Sequence, residues 1–229
     1  MKQEKKRTPL PSRKRVALRR IAIAAAVIFC VNFFMHIGLL LPIQAIRQLE
    51  EREGARHTSV VTRDWAPEIH KTHLVYLTEN DETTLFGSTY LSIYGWFAGF
   101  SVALDCTEEA PLYAGRSYMS RDDGKVWYFF GRVDDPAIET VTVSLCAEEY
   151  DSESHAYTGR EVRRLTTAEL TEKDGRRYFL LRDSGEWDND IGSSPRPVAI
   201  GYDSDGNEVA RMDIEQGNAS YFGYNYFSF

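Results

Sequence analysis

The sequence predicts a mainly β protein, with a single N-terminal transmembrane helix followed by an extracytoplasmic antiparallel β-sandwich or partly closed barrel. Three observations carry this expectation. The run Ile21 to Leu41, "IAIAAAVIFCVNFFMHIGLLL", holds no charged side chain over 21 residues. Beyond about residue 70 the hydrophobic pattern has the short period of strands and not that of helices. Asp-Gly pairs punctuate those runs where hairpin turns are needed.

The charge is divided unevenly along the chain. Residues 1 to 20 carry nine Lys and Arg against the one acid Glu4, a net +8, so the rest of a chain whose total is -7 stands at -15. A helix of these 21 residues, in which the apolar side chains outweigh Asn32 and His36, rises about 1.5 Å per residue, is roughly 31 Å long and matches a hydrocarbon core of about 30 Å. The basic cluster before it places the N-terminus in the cytoplasm and everything beyond about residue 45 outside. A cleaved signal peptide would have an apolar core of about 7 to 15 residues and a small-x-small site. Here the run is longer and Ile43 stands two before Ala45. Cys30 lies in mid-segment with no lipobox around it, as an inert, lipid-embedded thiol.

The expected organisation is a basic cytoplasmic tail over 1–20, a transmembrane helix over 21–42, a stalk helix and linker over 43–70, and an extracytoplasmic β-domain over 71–229. In "PIQAIRQLEEREG", Pro42 opens a short helix, Ile43, Ile46 and Leu49 recur three apart, and Gly54 stops it. The stretch Thr83 to Leu104 is also uncharged for 22 residues. Its Gly, Ser, Thr and Tyr dilute it below a second span, and two buried strands are expected there. "HLVYL", "KVWYFFGRV" and "TVTVSLC" are further strands, the last with Val141, Val143 and Leu145 on one face. "PVAIGYDSDGNEVARMDI" is the clearest hairpin: Val198, Ile200 and Tyr202 alternate inward, Asp205-Gly206 turns, and Ala210, Met212 and Ile214 return. The best helical pattern in this part is "TTAELTEKDG". Eight to ten strands are expected in all.

Asp135-Pro136 is a turn in which Pro136 presets φ and Asp135 bonds the backbone ahead of it. "YFFGRVDDPAIETVTV", "DGRRYFLLR" and "PVAIGYDSDGNEV", in that order, make the segment Trp127 to Met212 resemble small membrane-anchored extracytoplasmic proteins of Gram-positive bacteria. The resemblance implies a surface-held β-domain and carries over no functional residue. The acidic insert "CAEEYDSESHAYTGRE" and the tail "YFGYNYFSF" depart from that pattern.

No catalytic, cofactor or metal residue is assigned from the sequence. Glu68, His70 and His73 in "PEIHKTH" have a zinc-like spacing but lack a third ligand. "DSDGNE" places Asp203, Asp205 and Asn207 at calcium-loop positions but has Glu208 where glycine is needed, so a hairpin turn accounts for it better. Cys106 and Cys146 either pair across the domain or stand as separate thiols. There is no Gly-x-Ser-x-Gly elbow, no phosphate-cradling glycine loop and no cysteine with a recognisable histidine partner. The acidic exported part argues against nucleic acid. The expected partners are the lipid bilayer, through residues 21–42, and a membrane protein. The expected function is non-catalytic binding, sensing or scaffolding at the cell surface, and the alternative is a cell-envelope hydrolase using acidic residues. Residues 221–229, six of nine aromatic, are expected to close the fold as a last strand or an edge cover, or else to stay exposed as a binding patch.

Overall fold

The computed structural model describes residues 13–35, 39–67, 71–92, 95–121, 124–151, 156–167, 169–183 and 196–214. Glu68, His70, residues 184–194 and the aromatic tail 221–229 lie outside them.

The first helix, α1, runs Arg13–Met35. It begins before the predicted span, so five basic residues sit in its opening turns, and among the described residues 21–35 are the helical part of the apolar run. At about 1.5 Å per residue those fifteen rise roughly 22 Å. Among the described residues no helix is long and apolar enough to cross a membrane. Beyond the described helix, Leu39 bridges Trp96 in antiparallel fashion.

The second helix, α2 (Pro42–Arg52), starts where Pro42 occupies the first turn and the Gln44 side chain accepts from the backbone of Leu40 and Leu41, both at 3.1 Å. It stops at Gly54, whose φ of +68° favours glycine. The expected stalk is instead packed. Ile46 and Leu49 are fully buried against Leu74, Tyr76 and Leu85, and Arg52 donates to Gly99 O at 3.1 Å and Ser101 Oγ at 2.6 Å. The stripe of three-residue spacing is therefore a docking face. The expected linker also contains a strand, β1.

Twelve strands are present among the described residues, more than the eight to ten expected, in three four-stranded antiparallel sheets. Sheet I is β1 (Ser59–Trp65), β2 (His73–Glu79), β3 (Thr83–Ser92) and β4 (Gly95–Asp105), in that order. Here the uncharged stretch 83–104 forms the two strands expected of it. Sheet II has the order β5 (Leu112–Arg121), β6 (Gly124–Val133), β10 (Arg176–Asp183), β9 (Thr171–Lys173). Sheet III has the order β12 (Glu208–Asp213), β11 (Arg196–Tyr202), β7 (Thr140–Asp151), β8 (Ala156–Thr166).

Three apolar clusters give the stacking order α2, sheet I, sheet II, sheet III. Sheet II is the middle layer and is covered on both faces. Along β6, Val126, Tyr128 and Phe130 face sheet I, while Trp127 and Phe129 face sheet III. Tyr178 and Phe179 divide in the same way on β10. A strand buried on both faces reads as an unbroken apolar run, which is why "VWYFF" shows no alternation. Phe86 lies at the centre of the first interface, its ring centroid 4.9 Å from Phe130 and 5.1 Å from Tyr128.

Sheet III carries one correction of phase. Val141, Val143 and Leu145 share the core face as expected, but on β11 the core residue is Ala199, and Val198, Ile200 and Tyr202 are not in the cluster. Gly201 explains this: a Cβ added there would come within 2.7 Å of Ile138 Cδ1. Small residues on β11 leave room for the isoleucine that the Asp135-Pro136 turn delivers. That turn forms as predicted, with Ala137 N donating to Asp135 Oδ1 at 2.8 Å.

"TTAELTEKDG" is not helical. Residues 171–173 pair with β10 through a turn in which Asp174 and Gly175 have φ of 51° and 78°, values suited to the type I′ hairpin. The 203–207 hairpin is built by the Asp203 carboxylate, which accepts from the backbone of Asp205 and Asn207 and from the Asn207 amide at 2.8 to 3.0 Å. Among the described residues the β7–β11 pairing reaches Arg196↔Cys146, and the β7–β8 pairing continues to Asp151↔Ala156. The described residues of the acidic insert thus belong to the β7–β8 hairpin.

Candidate functional site

The ends of the strands on sheets I and II bring charged residues together that are far apart in sequence. The β2–β3 turn supplies Asp81, the chain after β4 supplies Cys106, β5 supplies Tyr113, the end of β6 supplies Arg132 followed by Asp134, and β10 begins with Arg176. Together they line an open concavity of about 560 Å³.

Arg132 is its fixed point. It is buried, yet its guanidinium donates to Asp81 O at 3.1 Å, Cys106 O at 3.3 Å and Asp134 Oδ2 at 2.7 Å, and it lies 4.7 Å from the Tyr113 ring centroid. A planar cation with five donors suits this set of acceptors, and the aromatic face adds a cation–π term. Arg176 donates to Asp81 Oδ1 at 2.7 Å, and that bond raises the Arg176 pKa. Beside it the buried Glu79 accepts from Ser59 Oγ at 2.8 Å and lies 3.4 Å from Lys173 Nζ and 3.9 Å from Arg176. Sheet I and sheet II are joined at this seam by ion pairs.

Burial governs two of the titratable groups in and beside the basin. Burial pushes the Cys106 thiol up, against opposing contributions from Thr84 and Arg132. Burial also pushes the Tyr178 hydroxyl well above its ordinary value, and the Glu79 charge adds to this. A protonated thiol and a protonated phenol at neutral pH are neither nucleophile nor base. Asp81 and Asp134 are each committed to an arginine. The basin can present fixed charge and hydrogen-bonding groups to a polar partner while the seam stays closed.

Arg132→Met leaves two backbone carbonyls and Asp134 without their donor. It is expected to lower stability by about 2 to 3 kcal/mol, measured by urea denaturation. Arg132→Lys should recover only part of this, because one ammonium cannot reach three acceptors in a plane.

Of the residues weighed as ligands or thiols in the sequence, Cys106 alone among the described ones lines the basin. His73 is buried on β2 and stacks on Tyr90 with centroids 5.4 Å apart, while Glu68 and His70 lie outside the described residues. Cys106 is a free thiol, so the alternative of a pair with Cys146 is not realised. Among the described residues no three of His, Cys, Asp and Glu are placed to hold a metal ion. The signal that could have found the basin is Arg132 itself, a cation inside the apolar run "VWYFFGRV".

No family model matches the chain, and neither a curated protein nor a solved structure matches it.

Proposed function

We propose that this is a single-pass membrane-anchored protein with its N-terminus in the cytoplasm and its β-domain outside, where the domain acts as a non-catalytic binding, sensing or scaffold module. The observation that supports this best is α1. Leu18, Ile21, Ile23, Val27, Ile28, Phe29 and Val31 are all exposed, and at about 100° per residue they and the exposed Ala22, Ala26 and Cys30 between them surround the helix. A helix apolar all round belongs inside a large core or a bilayer. The described helical part of the apolar run, residues 21–35, rises about 8 Å less than a full span. Arg19 and Arg20 can make up part of that by extending their charged ends to the headgroups, and the uncharged sequence continues through residues 36–38 to Leu41. The +8 charge before the run sets the orientation.

A binding or scaffold role is supported by the open, charged basin and by the β7–β8 hairpin, which among the described residues continues past the last β7–β11 pair at Cys146. Such edges and open charged concavities suit partner proteins.

The test is membrane extraction. The full chain is expected to stay in the membrane pellet through alkaline carbonate washing, and Ile23→Asp with Ile28→Asp to release it, since each acid near a span centre costs about 2.5 to 3.5 kcal/mol. Recovery of the unaltered chain in the soluble fraction would overturn the reading.

A further inference from the structure

The two ends of sheet I differ in chemistry. At one end lie Glu79, Asp81 and the basin. At the other, the register aligns Trp65 with Leu74, His73 with Tyr90, Tyr90 with Phe97 and Leu91 with Trp96. His73, Tyr90 and Phe97 form a file of stacked rings across three strands, with centroids 5.4 and 5.5 Å apart. Trp65 on the edge strand is 53% exposed and Leu91 is 41% exposed. The charged residues beside this rim are Lys71, exposed and two before His73, and Asp64, which lies 4.0 Å from Arg182; a lysine there suits the headgroup layer.

The chain coming from α1 is fastened at this same end. Leu39 N donates to Trp96 O at 2.9 Å and Trp96 N to Leu39 O at 2.7 Å. Leu40 and Leu41, which follow, are 52% and 56% exposed. Four Cα steps separate Met35 from Leu39, so the end of α1 lies within about 15 Å of the rim. Amphipathic rings of Trp, Tyr and His with exposed leucines beside them are the composition of a water–lipid boundary.

We propose that this end of sheet I is seated in the bilayer interface. Trp65, Leu91, Trp96 and the segment Leu39–Leu41 lie at the boundary between headgroups and acyl chains, in the membrane that α1 enters. From His73 to Glu79 the strand rises about 20 Å, so the seat turns the charged basin outward, about that far from the lipid. The domain is then a fixed platform and not a body swinging on a tether. The seat rests on the anchor reading, and the occupant it commits to is the lipid bilayer.

The test uses the full chain, its native cysteines replaced, in phosphatidylcholine–phosphatidylglycerol vesicles. Single nitroxide labels are placed through Ile28→Cys, Leu91→Cys and Asp81→Cys, and each is read for collision with oxygen and with a water-soluble nickel chelate. Position 91 is exposed, so the label need not displace the core. Expected are strong oxygen and weak nickel collision at 28, an intermediate ratio at 91 at least threefold above that at 81, and a water-like value at 81. A water-like value at 91 with 28 in lipid would overturn the seat while leaving the anchor. A water-like value at 28 would overturn both. Spin–spin broadening at 91 that disappears on dilution with unlabelled protein would assign the rim to a second copy of the chain, and would also overturn the seat.

Discussion

Gly131→Ala is expected to remove most of the stability of the domain, by more than about 4 kcal/mol, the range reserved for overpacking that cannot relax. Gly131 lies on β6 in the middle sheet, where a Cβ would come within 1.9 Å of Tyr113 O and 2.5 Å of Phe179 Cε1. The first of these is backbone of the neighbouring strand and the second is a ring locked in the core between sheets II and III. Neither can move without opening the ladder. Gly54→Ala is the contrasting case. Nothing lies within 4 Å of its added Cβ and the cost comes only from its φ of +68°, about 1 to 2 kcal/mol. Urea denaturation of the two variants checks the contrast.

Glu50→Ala is expected to cost about 3 kcal/mol, the loss seen when one member of a buried polar set is removed. Glu50 is buried on α2. It accepts from Thr58 N at 2.9 Å, from the Thr58 hydroxyl and from Arg47, and Arg47 also donates to Thr58 O at 2.8 Å. This carboxylate ties the end of α2 to the start of β1. Burial pushes its pKa up, but the hydrogen bonds from Arg47 and Thr58 outweigh burial and hold it below the ordinary value. Its contribution is therefore fully present above the ordinary glutamate pKa of about 4.3 and is lost as pH falls through the lower folded value. Denaturation midpoints from pH 7 down to pH 3 should show Glu50→Ala and the parent converging as acidity rises. A constant gap across that range would contradict the role given to the charge.

Most strands were legible because their signals are local. "HLVYL", "TVTVSLC", the Asp205-Gly206 hairpin and the two runs within 83–104 all announce themselves through alternation, β-branched residues or turn chemistry. What was not legible depends on partners distant in sequence. The α2 stripe looked like a stalk because its face, Leu74, Tyr76 and Leu85, belongs to strands that follow some thirty residues later. The third sheet was hidden because an apolar run such as "VWYFF" does not say whether its second face meets lipid, water or another layer. The core phase of β11 failed because Ala199 and Gly201, the residues facing inward, are small for the sake of Ile138. The three-residue β9 was lost to a helical pattern because the Asp174-Gly175 turn, and not intrinsic propensity, sets it. Of the basin, Arg132 alone carried a signal. The rim of sheet I had one too, since "TYLSIYGWF" is unusually aromatic, but only the register shows that Trp65 and His73 line up with it.

The central claim, a membrane-held platform facing outward, is tested most directly by the sidedness of the two ends of the chain. In cells expressing the full chain with its native cysteines replaced, a membrane-impermeant maleimide should label Asp205→Cys, on the exposed β11–β12 turn, before any permeabilisation. It should reach Thr8→Cys, in the basic segment, only afterwards. Labelling of position 8 in intact cells with position 205 protected would contradict the orientation, and protection of both positions until lysis would contradict placement of the domain outside the cytoplasm.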